Sequence, residues 1–169
     1  MPYEASYWIN KLKLQKHPEG GYFREVYRSG EVIHKKSLPE RYSGFRNFST
    51  SIYFLLESHD FSAFHRIKSD ETWHFYSGAP ITLFIIRPDG KLFEITLGND
   101  PEKNQVLQFV VGKNYWFAAK VIQNNSYSLV GCTVAPGFDF DDFEMGKKLE
   151  LLKRFPQHSK LIQLLTILE

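Results

Sequence analysis

The segment 64–78 carries the side-chain types and the spacing in this chain that are best suited to chemistry. His65 and Glu71 lie six positions apart, and Gly78 follows an aromatic run. A histidine exchanges protons near neutral pH, and a neighbouring carboxylate orients it and stabilises its charged form. The same residue types can hold a metal ion or bind a polar ligand. The segment therefore predicts a small-molecule pocket and leaves these three uses open.

Composition limits the classes of function. The chain has 169 residues, 43% of them hydrophobic and 24% charged, and we predict a single globular domain over residues 1–169. Lys and Arg (21) nearly balance Asp and Glu (19), and the basic runs are short, so we expect no nucleic-acid partner. No apolar run approaches the roughly 18–20 residues that cross a bilayer, so we expect no membrane partner.

Cys132 is the single cysteine, so no internal disulfide can form. The first residues, Met1-Pro2-Tyr3-Glu4, lack the charged-then-apolar pattern of a signal segment. Both features favour a reducing compartment, and we expect a cytoplasmic protein. The apolar surroundings of Cys132 in sequence predict a buried, inert thiol.

Short strands separated by turns must position the candidate residues. The clearest hairpin spans residues 81–97, where two β-branched and aromatic arms flank Arg87-Pro88-Asp89-Gly90. Helical apolar spacing occurs only at residues 5–12 and again after Gly137. The pattern predicts an all-β fold, a single antiparallel barrel or sandwich with short N- and C-terminal helices. A barrel of about eight strands can enclose one small ligand.

Several polar and aromatic residues on the predicted strands and loops are candidate ligand contacts. Trp73 and Trp116 suit either the core or a pocket wall that stacks on a sugar, and His74 suits either the pocket or the surface. Asp139 follows a Pro-Gly reversal and suits the pocket rim. The predicted ligand-binding residues are Tyr22, Glu25, Tyr53, Trp73, His74, Trp116 and Asp139.

The chain resembles the cupins, whose first motif is G-x5-H-x-H-x3,4-E-x6-G. His65 matches its first histidine, Glu71 its carboxylate and Gly78 its closing glycine. Residues 17–23, 51–56, 116–119 and 130–138 also resemble one cupin branch of unassigned function that is often labelled sugar-epimerase-like. The resemblance implies a jelly-roll type antiparallel β-barrel and a homodimer.

The resemblance breaks down at the metal ligands. Metallo-cupins typically use three histidines and one glutamate, but Ile67 stands at the second histidine and Phe117 at the histidine of the second motif. Only His65 and Glu71 remain, with His74 as a candidate third ligand. The ligand set for a divalent metal is therefore incomplete, so we predict no tightly bound metal and leave a weakly bound divalent ion open.

Two functions remain open. The resemblance to metal-free nucleotide-sugar epimerases implies a metal-free or weakly metal-dependent epimerase or isomerase of a sugar or related carbonyl compound. In that case His65 is the general base, Glu71 lies beside it, and a tyrosine on the opposite face of the ligand is the acid. We place Tyr76 in this catalytic set, among the candidates Tyr22, Tyr27, Tyr53, Tyr76 and Tyr115. The alternative is a non-catalytic cupin that binds a small polar ligand, such as a carbohydrate or nucleotide-sugar, without an opposing tyrosine.

Overall fold

The computed structural model describes residues 3–167. Three short helices lie near the two ends of this part of the chain: α1 (Ala5–Lys11), α2 (Lys148–Arg154) and α3 (Ser159–Leu164). The strands between them are β1 (Gln15–Lys16), β2 (Tyr22–Arg28), β3 (Val32–Ile33), β4 (Arg46–Asn47), β5 (Thr50–Glu57), β6 (Ser62–Arg66), β7 (Asp70–Gly78), β8 (Ile81–Ile86), β9 (Leu92–Leu97), β10 (Gln108–Val111), β11 (Trp116–Val121), β12 (Tyr127–Ala135) and β13 (Glu144–Met145).

The strands form two main antiparallel sheets. One has six strands in the order β1-β2-β5-β12-β7-β10, and the other has five in the order β13-β6-β11-β8-β9. A small third ladder pairs β3 with β4. The predicted all-β, jelly-roll type antiparallel fold with short terminal helices is confirmed. The predicted hairpin is the β8–β9 pair, with Ile81 opposite Leu97 and Ile86 opposite Leu92.

The core lies between the two sheets. Phe54, Trp73 and Val130 of the six-stranded sheet belong to one buried cluster with Leu83 and Phe117 of the five-stranded sheet. Successive side chains of a strand point to opposite faces, so every second residue of each strand enters this core. The face that a residue occupies therefore decides whether it can reach a site between the sheets.

The helices cover other surfaces of the sheets. Helices α2 and α3 contribute Leu151 and Ile162 to a buried cluster that contains Phe64 and Trp116 of the five-stranded sheet. Helix α1 packs with Leu55 on the outer face of the six-stranded sheet. None of the helices within residues 3–167 has the length and apolar character needed to cross a membrane. The predicted domain over 1–169 extends past the described residues at both ends and stays a prediction.

Candidate functional site

A cavity of about 230 Å³ lies between the sheets. The ionisable residues that line it include His17, Glu19, His65, Glu71 and Cys132. The apolar lining is dominated by aromatic rings, namely Phe23, Phe54, Trp73, Phe138, Phe140 and Phe143. The site thus combines ionisable groups with largely hydrocarbon walls.

The turn His17-Pro18-Glu19-Gly20-Gly21 connects β1 to β2 and carries two of the ionisable groups into the cavity. The Gly20 backbone N–H donates to the His17 carbonyl (3.1 Å), and the Ala63 N–H donates to the Glu19 carbonyl (2.8 Å). Gly20 has φ 113°, and a Cβ at this position would collide with the Phe61 carbonyl oxygen. Glycine therefore allows the turn to dock against the chain just before β6.

The side chains of Glu19 and His65 are in hydrogen-bonding contact. Glu19 Oε2 lies 3.1 Å from His65 Nε2, and Ser62 Oγ donates to Glu19 Oε1 at 2.7 Å. His65 Nδ1 lies 2.7 Å from the Ala63 carbonyl oxygen, which can only accept, so Nδ1 carries a proton. A neutral His65 then presents a lone pair at Nε2, and the 3.1 Å contact places a proton between Nε2 and Glu19 Oε2.

Burial favours the neutral forms of this cluster. Burial raises the pKa of Glu19 above its ordinary value, against the opposing effects of His17 and the Ser62 hydrogen bond. Burial also lowers the pKa of His65, opposed by the charge of Glu71. The pKa of His17 is lowered by burial as well, opposed by Glu19. A neutral Glu19 that donates to a neutral His65 agrees with all three directions.

The second histidine, His17, contacts Glu19 through Nδ1. The Glu19 backbone N–H donates to His17 Nδ1 (3.4 Å), and Glu19 Oε2 lies 3.4 Å from the same nitrogen. The neutral tautomer that accepts this backbone N–H carries its proton on Nε2. In that tautomer His17 keeps one N–H donor that its own turn does not use.

Glu71 has the least satisfied carboxyl group at the site. Its side chain is buried, with 8% of the residue exposed, and burial raises its pKa to about 7, opposed by His65 and reinforced by Glu19. The Cys132 thiol is its hydrogen-bond partner, and no N–H or O–H group within residues 3–167 bonds to this carboxyl. A buried carboxyl that faces a cavity with only a thiol as partner is suited to a donor supplied by a ligand.

Cys132 is buried, and burial raises its pKa well above the ordinary value, reinforced by the charge of Glu71. The thiol is therefore protonated at neutral pH and a poor nucleophile. This confirms the predicted burial of Cys132.

Residues 138–143, here called the pocket cover, close the cavity next to the histidines. The Phe143 ring stacks on His65 with 5.4 Å between ring centroids, and Phe140 lies 6.4 Å from His17. Asp139 accepts a hydrogen bond from the Asp141 backbone N–H (2.9 Å) at the 3₁₀ turn Phe140–Asp142. The cover thus adds aromatic wall rather than charge beside His65.

An ion pair and an arginine–carbonyl hydrogen bond hold the pocket cover. Arg46 donates to both carboxylate oxygens of Asp142 at 2.6 and 2.7 Å, and both side chains are only 3% exposed. Arg28 donates to the Phe138 carbonyl at 3.1 Å and is itself bound by both carboxylate oxygens of Glu25. The cover is therefore anchored at its beginning and near its end.

The structure brings some of the predicted site residues together. His65, Glu71, Glu25, Trp73 and Asp139 all line the cavity. Their chemical roles stay predictions.

Other predicted residues lie elsewhere, because they occupy the opposite faces of their strands. Tyr76 rests on Gly131 and near Tyr53, with 6.1 Å between ring centroids, on the outer face of the six-stranded sheet. His74 Nε2 contacts Thr133 Oγ1 at 3.3 Å on that face, one residue from the inward Trp73. Tyr76, Tyr53 and His74 therefore lie outside this cavity, and their catalytic and ligand-binding roles stay predictions.

Two further predicted ligand contacts, Tyr22 and Trp116, also lie outside the cavity. Tyr22 packs in the cluster beneath α1. Trp116 belongs to the cluster of the C-terminal helices, under the guanidinium of Arg66. The rings of Tyr22 and Trp116 both pack against apolar side chains outside the cavity.

The sequence left a catalytic role open for residues 17–21, but their Pro and paired Gly mainly indicate a sharp bend before a strand, and neither His17 nor Glu19 was in the predicted site set. The adjacent Gly20-Gly21 pair is the signal that a tight approach to another segment follows. That signal does not reveal which segment is approached.

With this geometry, comparison with known proteins assigns the family. A family model described as Cupin superfamily (DUF985) matches residues 6–146. The chain belongs to this cupin family. The cupin is 30% identical over 165 residues to Uncharacterized protein YML079W of Saccharomyces cerevisiae, covering 92% of this chain and 82% of the yeast protein.

Solved structures agree with the assignment. Protein SO0799 from Shewanella oneidensis has a TM-score of 0.89 and 38% identity, covering 99% of both chains. A hypothetical protein from Leishmania major has a TM-score of 0.88 and 32% identity, covering 98% of this chain and 100% of the other.

The residues of this cupin do not fit the metal that many cupins hold. Within residues 3–167, no three His, Cys, Asp or Glu side chains are arranged as a metal-ligand set. His74 cannot complete one with His65 and Glu71, because it faces away from the cavity. At the remaining ligand positions stand Ile67 and Phe117, and the Phe117 ring lies 4.1 Å from His65. The predicted homodimer and sugar or nucleotide-sugar ligand stay predictions.

Proposed function

We propose that this cupin is an isomerase that moves a proton on one face of a small carbonyl compound, with Glu71 as the group that takes and returns it. The observation that carries this proposal is the buried Glu71 carboxyl, which faces the cavity with a pKa of about 7 and a thiol as its partner. Near neutral pH such a group is half ionised, so it can act as base and then as acid.

Glu71 is better placed than His65 for the base role. Both ring nitrogens of His65 are engaged, Nδ1 by the Ala63 carbonyl and Nε2 by Glu19. His65 opposes the rise in the Glu71 pKa, so the two side chains influence each other's protonation. We therefore move the role of base from His65 to Glu71 and give His65 the role of tuning that carboxyl.

The cavity supports proton transfer on one face of the substrate rather than on both faces. No tyrosine within residues 3–167 lines it, so the opposing acid expected of a two-face epimerase has no candidate of that type. A single carboxylate can remove a proton from the carbon next to a carbonyl, leaving the electron pair as an enolate. The resulting carboxylic acid then returns the proton to the same or a conjugated carbon, and atoms and charge balance.

His17 is the donor that we assign to the enolate oxygen. It lines the cavity, and its tautomer leaves the Nε2 proton available. A donor aimed at developing negative charge in a water-poor site stabilises the enolate more than it would in water. The uncharged state of the neighbouring Glu19–His65 pair avoids repulsion of that charge.

The test is exchange of carbon-bound protons for deuterium in D₂O, followed by proton NMR. The compounds should cover neutral ketones, α-keto acids, ketose sugars and nucleotide keto-sugars. We expect the wild type to exchange carbon-bound protons of at least one of these compound classes. Glu71→Gln should lower the exchange rate about 100-fold or more, because it removes the general base. Glu94→Gln is the matched control, because Glu94 is exposed on β9.

Two results would contradict the proposal. One is full exchange by Glu71→Gln, and the other is no exchange of any class by the wild type. In the second case, calorimetric binding of the same compounds would instead support the non-catalytic ligand-binding alternative.

A further inference from the structure

The cavity walls are unsuited to a polyhydroxylated ligand. Six aromatic rings and the side chains of Ile52, Ile67 and Val134 form most of the lining. A sugar carries a hydroxyl on nearly every carbon, and each buried hydroxyl without a partner costs about 1–3 kcal/mol. A ligand body without hydroxyls matches these walls better.

Strand register separates the polar groups of the lining. Arg28, Thr50, Val134 and Glu71 lie in one row across the strands β2, β5, β12 and β7. Three strand spacings of about 4.8 Å put the backbones of Arg28 and Glu71 about 14 Å apart. Between them in this row lie Val134 and Thr50, whose hydroxyl accepts from the Phe138 N–H, and the adjacent row contributes Ile52 and Cys132 to the cavity. The ligand therefore meets hydrogen-bonding groups at separate places, with apolar surface between them.

The charge of the lining is unsuited to an anionic ligand. Among residues 3–167, Arg28 is the only Lys or Arg in the lining, against the four carboxyl groups of Glu19, Glu25, Glu71 and Asp139. Arg28 is also occupied, because it donates to both oxygens of Glu25, to Asn47 Oδ1 (2.8 Å) and to the Phe138 carbonyl. A diphosphate or carboxylate entering the cavity would find no free cation to replace its water.

The cavity size agrees with a small ligand. Pockets for drug-sized ligands usually measure about 300–1,000 Å³, and this one measures about 230 Å³. A nucleotide-sugar would exceed it.

We infer that the substrate is a small uncharged ketone with an apolar, ring-sized body, rather than a free sugar, a keto acid or a nucleotide-sugar. This inference rests on the proposed proton transfer by Glu71 and names its substrate class. The carbonyl oxygen accepts from His17, the neighbouring C–H bond breaks toward Glu71, and the apolar body packs on the aromatic wall. The proton returns to carbon, so no oxidant or reductant is required.

The test compares three probes that differ in one property each. Benzylacetone is an uncharged aryl-alkyl ketone, para-carboxybenzylacetone is the same ketone with a carboxylate on its ring, and fructose is a polyhydroxylated ketone. Binding is measured by titration calorimetry and proton exchange by NMR in D₂O, using the whole wild-type protein. We expect benzylacetone to bind and exchange at least about 10-fold better than either of the other two, a difference of about 1.4 kcal/mol.

A rim variant tests the charge argument separately. Glu25→Gln removes the carboxylate that occupies Arg28, so it should improve binding of para-carboxybenzylacetone relative to benzylacetone by about 10-fold. An unchanged ratio would contradict the assigned role of the Glu25–Arg28 pair.

The outcomes separate this inference from the proposed function. Stronger exchange of fructose or of the carboxylated probe would overturn the substrate class and leave proton transfer by Glu71 intact. Binding of benzylacetone without exchange of any compound class would overturn proton transfer and keep the ligand class. Benzylacetone that neither binds nor exchanges overturns the inference.

Discussion

Replacing Glu71 by glutamine should change how the stability of the folded protein depends on pH. Burial raises the pKa of Glu71 from 4.5 to about 7, so the folded state holds a proton that the unfolded state releases in this range. The stability contributed by the protonated group is complete below about pH 4.5 and is lost as the pH rises toward about 7. At 1.36 kcal/mol per pH unit, the loss amounts to about 3 kcal/mol.

Urea denaturation at about pH 4.5 and about pH 8 measures this loss. Glutamine keeps the shape of the side chain and cannot ionise, so the variant should gain about 3 kcal/mol relative to wild type between the two pH values. The exposed control Glu94→Gln should stay within about 0.5 kcal/mol of wild type at both. If the Glu71→Gln difference were the same at both pH values, Glu71 would be ionised in the folded protein at neutral pH, which would refute the reasoning.

Three further substitutions or reactions test other parts of the structure. Asp142→Ala leaves Arg46 buried without its carboxylate and should cost about 3–5 kcal/mol in urea denaturation; a loss below about 1 kcal/mol would mean that the ion pair does not anchor the pocket cover. Gly131→Ala should cost about 1–3 kcal/mol, because its methyl group meets the Tyr76 hydroxyl. Adding Tyr76→Ala should remove that clash in a double-mutant cycle, and strict additivity would argue against the contact. Cys132 should react with Ellman's reagent only after unfolding, because the thiol is buried and protonated; equal rates in the folded and unfolded states would contradict its burial.

The predictable part of the site is the part that depends on strand periodicity. Glu71 and Trp73 are two residues apart on β7, so a pocket role for one implies the same face for the other, and both line the cavity. His74 adjoins Trp73 and must face outward in a regular strand. Tyr76 is two residues beyond His74 and follows the same alternation to the outer face, although the pairing of β7 with β12 shifts register between Leu129 and Val130. A bulge of this kind depends on contacts across the sheet and leaves little trace in local sequence.

The unpredictable part of the site comes from distant segments that meet. Glu19 reaches His65 only because the turn after β1 docks on Ser62 and Ala63, more than forty positions later in the chain. The glycines of that turn indicate that a close approach is possible. The glycines do not indicate that the neighbouring group is the Phe61 carbonyl, which lies against Gly20.

The pocket cover joins β12 of one sheet to β13 of the other, and β13 pairs with β6 with Met145 directly opposite His65. Because the pocket cover is joined to both sheets, it cannot move independently of them. Any displacement that admits a ligand beneath Phe143 also pulls on the short ladder that fixes the backbone of His65. Ligand entry beneath Phe143 is therefore mechanically coupled to the backbone position of His65 in this fold.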